Sequence, residues 1–211
     1  MKKTTLVQVT VVMAIVAALL ILVASISGAA AVEPVDTAAP SPPAFPVKIG
    51  VALPLSGDAA GYGEPTRDGV LLAIDEAEAA GWQIEVILAD TQCDPTQAVS
   101  VTNDLIVNHG VNYILGGACS SVSIAMSEVT NENQVVQLSP ISSNPWVTKD
   151  PDGTNKDYVF RACFIDPALG MVMATVAADD LGASRAAILH NADFAYSSVL
   201  ADAFHQAFEA L

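Results

Sequence analysis

Two pairs of serines have the residue type and the position needed to bind a negatively charged group. Ser120 and Ser121 open an amphipathic segment that follows the glycines at 116–117, and Ser142 and Ser143 stand shortly after another apolar segment. Where a helix begins, free backbone N–H groups and the positive end of the helix dipole attract anions, and hydroxyl groups add further donors. The pattern therefore favours a carboxylate ligand. The alternative is that Ser120 only caps a helix and that Ser142 and Ser143 are ordinary loop residues.

The three cysteines indicate one disulfide and one remaining thiol if the chain is exported. Cys93 and Cys119 each follow the carboxyl end of a predicted strand, in consecutive strand-helix units. Neighbouring strands would bring them to the same edge of a sheet, whereas Cys163 has no such counterpart. Three unpaired, buried thiols are the alternative. A disulfide between the first two would stiffen the edge that carries Ser120.

Patterns typical of catalysis or of metal binding are weak in this sequence. His190 could imitate a hydrolase triad with Ser120 and Asp193, but no serine lies in a Gly-x-Ser-x-Gly motif. The three histidines are too scattered for a metal pattern, and the cysteine spacing is not that of a zinc site. A Gly-rich phosphate loop of the dinucleotide type is also missing. We therefore expect a protein that is not an enzyme and that uses no metal and no cofactor.

Apolar segments typical of strands alternate with amphipathic segments typical of helices from Val47 onward. The predicted strands are Ile49–Leu55, Ile84–Ala89, Tyr113–Leu115, Val135–Leu138, Tyr158–Phe160 and Ala186–Leu189. The predicted helices have apolar stripes that include Ile74, Leu105, Met126, Val172 and Phe204. Asp94 and Pro95 are a good N-cap and a good first residue for the second helix.

Such alternation requires right-handed crossovers, which predicts an α/β fold with a parallel sheet and helices on both faces. Ligands bind these sheets at the carboxyl ends of the strands. The loops expected there are residues 56–63, 90–94, 116–121, 139–144 and 191–197. Both serine pairs and the first two cysteines lie in or beside these loops, so the sequence predicts a binding site at this edge.

Residues 1–31 have the features of an export signal peptide. Two lysines precede an uncharged apolar run from Leu6 to Ile26, and small residues follow it, so that cleavage is expected after Ala31. The run is also long enough to be retained as a membrane anchor, which is the alternative. Residues 32–46 are expected to form a proline-rich linker. Either way, the folded part is predicted to be periplasmic or extracellular.

The chain is strongly acidic, with 23 acidic and eight basic residues and a formal net charge of −15. Two of the basic residues lie in the predicted signal peptide, which contains no acidic residue. Proteins that bind nucleic acid rely on basic side chains to neutralise phosphates. Nucleic acid is therefore excluded as an expected partner.

Several motifs of the sequence resemble those of the periplasmic leucine/isoleucine/valine-binding proteins of ABC transporters. The matching motifs are Val47-Lys48-Ile49-Gly50, Leu55-Ser56-Gly57, Tyr62-Gly63, Asp90-Thr91-Gln92-Cys93-Asp94-Pro95, Gly117-Ala118-Cys119-Ser120-Ser121 and Ser139-Pro140 before Ser142-Ser143. The resemblance extends from Val47 to Leu211. It implies a type I periplasmic-binding fold, in which two similar α/β lobes close on an amino acid and present it to a membrane permease.

The predicted ligand-binding set consists of six residues: Tyr62, Ser120, Ile141, Ser142, Ser143 and Tyr196. The resemblance implies that Ser120 and Ser143 bind the α-carboxylate of the ligand, with backbone help from Ile141. It also implies that Tyr62 and Tyr196 line the cleft. The cysteine motifs look like the two segments that the family joins by a disulfide, Cys93 to Cys119. Tyr196 departs from the family pattern, since Tyr-Ser-Ser replaces Tyr-Gly-x-Gly there.

The resemblance also predicts how the chain is divided. Residues 47–162 would form the first lobe and residues 163–211 the start of a second lobe. Family members are nearly twice as long, and the last predicted helix is still in phase at Leu211, so a C-terminally truncated sequence is expected. The predicted function is capture of a small aliphatic or branched-chain amino acid for uptake by an ABC permease. A membrane-anchored ligand-sensing ectodomain of the same fold is the alternative, and N-terminal sequencing of the mature protein distinguishes the two.

Overall fold

The structure is a computed structural model that describes residues 42–43 and 45–211, and within them it contains one five-stranded sheet. The strands are β1 (Val47–Leu53), β2 (Ile84–Asp90), β3 (Tyr113–Gly116), β4 (Val136–Ser139) and β5 (Val159–Arg161). They lie in the order β2-β1-β3-β4-β5, and every neighbouring pair is parallel. The predicted α/β class and parallel sheet are confirmed. The predicted signal peptide lies outside the described residues.

Five α-helices occur in the same part of the chain: α1 (Ala60–Ala79), α2 (Pro95–Val107), α3 (Ser120–Glu132), α4 (Asp166–Thr175) and α5 (Ala195–Ala210). A 3₁₀ turn at Pro145–Val147 lies between β4 and β5, and α4 continues into a π-helical turn at Val176–Asp180. The chain moves in one direction across the sheet from β1 to β2 and in the other direction afterwards. Because such crossovers are right-handed, α1 lies on the opposite face of the sheet from α2 and α3.

The starts of α1 and α2 show how local sequence sets a helix boundary. Asp94 caps α2 as predicted, since its carboxylate accepts a hydrogen bond from the Gln97 N–H at 2.7 Å. Helix α1 begins at Ala60, well before the apolar stripe around Ile74, because its first turns are largely exposed and need no stripe. A Cβ at Gly63 would lie 1.8 Å from the Pro54 carbonyl oxygen. Glycine therefore allows this first turn to pack against the chain that leaves β1.

The main hydrophobic core lies between the sheet and helices α2 and α3. A cluster of buried residues fills this space: Ala52, Ala98, Leu105, Val111, Ile114, Cys119, Val122, Met126 and Val135. A Cβ at Gly50 would lie only 2.9 Å from Leu105 Cδ1, so the missing side chain lets α2 approach β1 closely. Burial stabilises the fold by about 1.5–3 kcal/mol for each large aliphatic side chain. The core thereby fixes the two helices whose first turns follow β2 and β3.

The predicted strand Ala186–Leu189 is wrong. These four residues have no regular secondary structure, all of them are exposed, and Leu189 is fully exposed. The sheet ends at β5, and no strand among the described residues runs beside this segment. An apolar segment becomes a strand only when a neighbour satisfies its backbone groups, so the sequence pattern alone is not sufficient.

None of the helices between residues 42 and 211 is both long enough and apolar enough to cross a bilayer. The apolar run from Leu6 to Ile26 is outside that range, and the prediction of a signal peptide or anchor remains a prediction.

Candidate functional site

The loops that follow β1, β2, β3 and β4 meet along one edge of the sheet, which we call the carboxyl rim. The strand register places Leu53 beside Asp90 and Ala52 beside Gly116, so the central strands end almost level. The direction of the chain across the sheet reverses at β1, which has β2 and β3 as its neighbours. In open α/β sheets a reversal of this kind opens a crevice in which ligands bind. Four of the five predicted loops lie on this rim.

A disulfide crosses the carboxyl rim at the end of β1. It joins Cys93 to Cys119, whose Cα atoms are 5.8 Å apart, while Cys163 is free. The predicted pairing is confirmed. The two cysteines were predicted to follow neighbouring strands, and this part of the prediction is wrong. They follow β2 and β3, and β1 lies between these strands. The bridge therefore spans β1 and fixes the backbone directly before Ser120.

Ser120 is the first residue of α3 and is 2% exposed. The first hydrogen bond of the helix is donated by the Ser123 N–H to the Cys119 carbonyl, at 2.9 Å. The N–H groups of residues 120–122 therefore have no acceptor within the helix. The hydroxyl of Ser120 adds a further donor beside these amides. This arrangement suits the oxygen atoms of a carboxylate.

Ser142 belongs to a buried cluster of hydroxyl groups around the Gly117 carbonyl. The Oγ atoms of Ser123, Ser139 and Ser142 lie 2.7, 2.8 and 2.8 Å from that oxygen. Those of Ser123 and Ser142 are also 2.7 Å apart. Gly117 has a φ of 70°, and a Cβ there would lie 2.0 Å from Ser123 Oγ, so glycine is required. The Ser142 hydroxyl thus binds within the protein and fixes the loop that carries Ser143.

The guanidinium of Arg161 holds this loop from the other side. Arg161 is the last residue of β5, and its Nη1 donates to the Ser142 carbonyl at 3.0 Å. Its Nη2 donates to the Pro145 carbonyl at 3.1 Å and to Thr148 Oγ1 at 2.9 Å. Hydrogen bonds from a charged donor contribute about 1.5–3 kcal/mol each. The loop after β4 is therefore well ordered on both sides of Ser143.

Ser143 lies where the loop after β4 meets the start of α4. It is 5% exposed, and its carbonyl accepts a hydrogen bond from the Asp166 N–H at 3.0 Å. The Asp166 side chain is completely buried. Burial raises the pKa of Asp166, and the Ser143 hydroxyl and the positive Arg161 only partly offset this rise. Neither carboxylate oxygen reaches hydrogen-bond geometry with a partner among the described residues.

Asp90 orders the loop after β1. Its Oδ1 accepts hydrogen bonds from the N–H groups of Leu55 at 2.8 Å and Gln92 at 2.9 Å, and its Oδ2 accepts one from the Ser56 hydroxyl at 2.5 Å. Burial raises the pKa of Asp90. Together, these hydrogen bonds lower the pKa by more than burial raises it, and the bond from Ser56 contributes most among them. The pKa of Asp90 is therefore below its ordinary value of 3.8. The ionised carboxylate thereby fixes the chain that leads to Tyr62.

The remaining predicted ligand residues are more exposed. Tyr62 in the first turn of α1 is 69% exposed, Ile141 in the loop after β4 is 41% exposed, and Tyr196 in the first turn of α5 is 38% exposed. The Asn144 side-chain amide donates to the Ala195 carbonyl at 3.2 Å. This bond connects the loop after β4 with the start of α5, although residues 191–197 follow no strand.

Several residues that shape the rim were not predicted as site residues. They are Asp90, Ser123, Asn144, Arg161, Asp166 and Phe194. Phe194 packs against the main core, and its ring lies edge-to-face with Tyr196 at a centroid distance of 6.4 Å. A polar residue that ends a strand, such as Asp90 or Arg161, is the one signal by which the sequence could have indicated this group.

The alternative catalytic arrangement receives no support from the contacts. His190 lines a groove with Met173 and Phe204, and no hydrogen bond among the described residues joins it to Ser120 or Asp193. The described residues also contain no group of three or more His, Cys, Asp or Glu side chains that could hold a metal ion.

The sequence of this chain is similar to those of known proteins. The profile of the family described as periplasmic binding protein matches residues 46–211. Leu/Ile/Val-binding protein homolog 2 of Brucella abortus (strain 2308) is 35% identical over 149 residues, which cover 69% of this chain and 39% of that relative.

Two solved structures are similar in fold. The leucine binding protein LivK from Thermotoga maritima has a TM-score of 0.72 and 33% identity, with 78% of this chain and 46% of that chain covered. The branched-chain amino acid transporter substrate binding protein LivJ from Streptococcus pneumoniae, in complex with isoleucine, has a TM-score of 0.72 and 28% identity, with 78% and 47% covered.

The parallel sheet with the strand order β2-β1-β3-β4-β5 matches the type I fold of periplasmic binding proteins, as the similarity to LivK shows. This chain belongs to the periplasmic binding protein family, and the predicted family is confirmed. The chain spans less than half the length of the relatives it matches, since 39% and 46% of two of them are covered.

Proposed function

We propose that this protein captures a small aliphatic amino acid outside the cytoplasm and delivers it to an ABC permease for uptake. The observation that carries the proposal is the start of α3, where Ser120 and the free amides of residues 120–122 stand at the reversal point of the sheet. The names of the relatives support the ligand class, because they bind leucine, isoleucine or valine. Nucleic acid is not proposed as a partner, because the strongly acidic chain would repel its phosphates.

The proposal gives each predicted residue a part in binding. Ser120 and Ser143 donate hydrogen bonds to the α-carboxylate, together with amide groups of α3 and the backbone at Ile141. Ser142 fixes the loop through its bonds to the Gly117 carbonyl and to Ser123. The aromatic rings of Tyr62 and Tyr196 line the cleft.

The predicted division into lobes stays part of the proposal. Residues 47–162, which contain the whole sheet, act as the first lobe and supply the carboxylate site. Residues 163–211 begin a second lobe. The hydrogen bond from the Asn144 amide to the Ala195 carbonyl supports a contact between the first lobe and this segment. A ligand held between two lobes is removed from water, where its hydrogen bonds are worth more.

Calorimetry tests the proposal with the mature protein expressed from its whole reading frame. L-leucine, L-isoleucine or L-valine should bind, and L-leucinamide should bind more weakly because it lacks the carboxylate. Ser120→Ala and Ser143→Ala should each weaken binding by about 1–3 kcal/mol, since each leaves a carboxylate oxygen without a donor.

The matched control is Ser100→Ala, which removes the hydroxyl of an exposed serine on α2 and should leave the affinity unchanged. A wild-type protein that binds none of these amino acids would contradict the proposed ligand class. Unchanged affinity in both serine variants at the rim would contradict the proposed carboxylate site.

A further inference from the structure

A buried carboxyl group stands next to the proposed ligand site without a hydrogen-bond partner. Asp166 is the first residue of α4, its exposed fraction is 0%, and no partner among the described residues forms a hydrogen bond with Oδ1 or Oδ2. Burying a polar group without such a bond costs about 1–3 kcal/mol, and burying its charged form costs more. The fold therefore tolerates an unfavourable group at this position.

The surroundings of Asp166 relate it to one ligand residue in particular. Its backbone N–H donates to the Ser143 carbonyl at 3.0 Å, and the Ser143 hydroxyl lowers the pKa of the Asp166 carboxyl against the larger effect of burial. The charged or titratable groups nearby are Arg161 at the end of β5 and Cys163 in the segment that follows. On α5, the exposed Asp202 lines a groove with Pro167.

A serine hydroxyl has one proton, and the orientation of that proton depends on the hydrogen-bonding group next to the hydroxyl. A carboxylate that accepts the proton leaves only lone pairs for a ligand, whereas a protonated carboxyl that donates to Oγ leaves the serine proton free. The other rim serine of the loop after β4, Ser142, has its orientation fixed by the Gly117 carbonyl and Ser123. A backbone hydrogen bond holds Ser143 next to Asp166, whose buried carboxyl has no hydrogen-bond partner among the described residues.

We propose that Asp166 is a positioning residue that orients the Ser143 hydroxyl toward the ligand. This inference rests on the proposed function, because it concerns the hydrogen bond that Ser143 makes with a bound amino acid. The backbone bond from Asp166 to Ser143 holds the two residues in register. Asp166 also begins α4, so its contact with Ser143 joins the ligand loop to the segment proposed to start the second lobe.

A double-mutant cycle tests this role in the mature protein expressed from its whole reading frame, with L-leucine as the ligand. Asp166→Ala should weaken leucine binding about tenfold, because the Ser143 hydroxyl loses its orientation. Asp166→Asn keeps a hydrogen-bonding group of the same shape and should restore affinity to within about threefold of the wild type.

The cycle is completed with Ser143→Ala. Once the hydroxyl is absent, Asp166→Ala should cause no further loss, and the double variant should bind as Ser143→Ala does. Asp202→Ala removes an exposed carboxylate from α5 and serves as the matched control, which should bind as the wild type. Thermal unfolding of each variant accompanies the calorimetry.

Independent losses that add in full in the double variant would overturn the positioning role, and so would wild-type affinity in Asp166→Ala. Should that variant fail to fold, the same cycle is run with Asp166→Ser, whose side chain is one atom shorter and which is well accepted at a helix start. A wild type that binds no amino acid overturns the proposed function and this inference with it. A wild type that binds leucine without the coupling overturns this inference alone.

Discussion

At the scale of single residues, the rim serines differ in what their hydroxyl groups bind. Their types and positions predict all four serines, Ser120, Ser121, Ser142 and Ser143, as donors, and only the family resemblance singles out Ser120 and Ser143. Ser142 has the same type and a neighbouring position, yet its hydroxyl is bound to the Gly117 carbonyl. No local pattern distinguishes these cases, because the difference depends on residues more than 20 positions away.

Asp90 offers a test at this scale, because its pKa is lower in the folded protein than its ordinary value of 3.8. A carboxyl with a lowered pKa stabilises the fold above the unfolded-state pKa, and this stabilisation is lost as the pH falls through the folded-state pKa. Asp90→Asn should therefore lower the free energy of unfolding by about 1–3 kcal/mol at neutral pH. The difference from the wild type should shrink once the pH falls below 3.8.

Urea denaturation at about pH 7 and about pH 3 measures both effects. Asp58→Asn removes a carboxylate from an exposed residue of the same loop and should change stability little. A destabilisation by Asp90→Asn that stays constant over this pH range would mean that the ionised carboxylate is not what holds the loop.

At the scale of elements, hydrophobic periodicity predicted all five strands of the sheet and the helices between them. It failed at Ala186–Leu189, where the composition is that of a strand but the described residues supply no neighbouring strand. The strands that precede Cys93 and Cys119 were expected to be neighbours, whereas β1 lies between β2 and β3. Hydrophobic periodicity describes the spacing of apolar residues within one segment. The order of the strands depends instead on contacts between segments that are distant in the sequence.

The disulfide is the element-scale feature whose contribution is easiest to measure. Its cysteines are 26 residues apart. In the chain-entropy treatment, removing a bridge that closes a loop of this length lowers the free energy of unfolding by about 3.5 kcal/mol. The Cys93→Ser and Cys119→Ser double variant should therefore lose about this much stability in urea denaturation. Cys163→Ser is the matched control and should change stability less, because that thiol is free.

Peptide mapping of the secreted, unreduced protein provides the complementary measurement. A peptide that links residues 93 and 119 should dominate, with Cys163 recovered as a thiol. A dominant bridge that includes Cys163 would contradict the arrangement of the carboxyl rim.

At the scale of the whole molecule, the position of the site follows from topology. The order β2-β1-β3-β4-β5 reverses at β1 and places the start of α3 beside the resulting crevice. The sequence predicted the rim, since every loop after a strand of a parallel sheet lies there. It did not predict the reversal, because the strand order is set by how helices pack on the two faces. Membership of the periplasmic binding protein family agrees with both.

A crystal structure of the mature protein, expressed from its whole reading frame and grown with L-leucine, tests the proposed site most directly. The α-carboxylate should lie at the start of α3, with its oxygens about 2.5–3.2 Å from the Ser120 hydroxyl, an amide of residues 120–122 and the Ser143 hydroxyl. Leucine bound away from the carboxyl rim, or bound there with its side chain rather than its carboxylate against Ser120, would contradict the proposal.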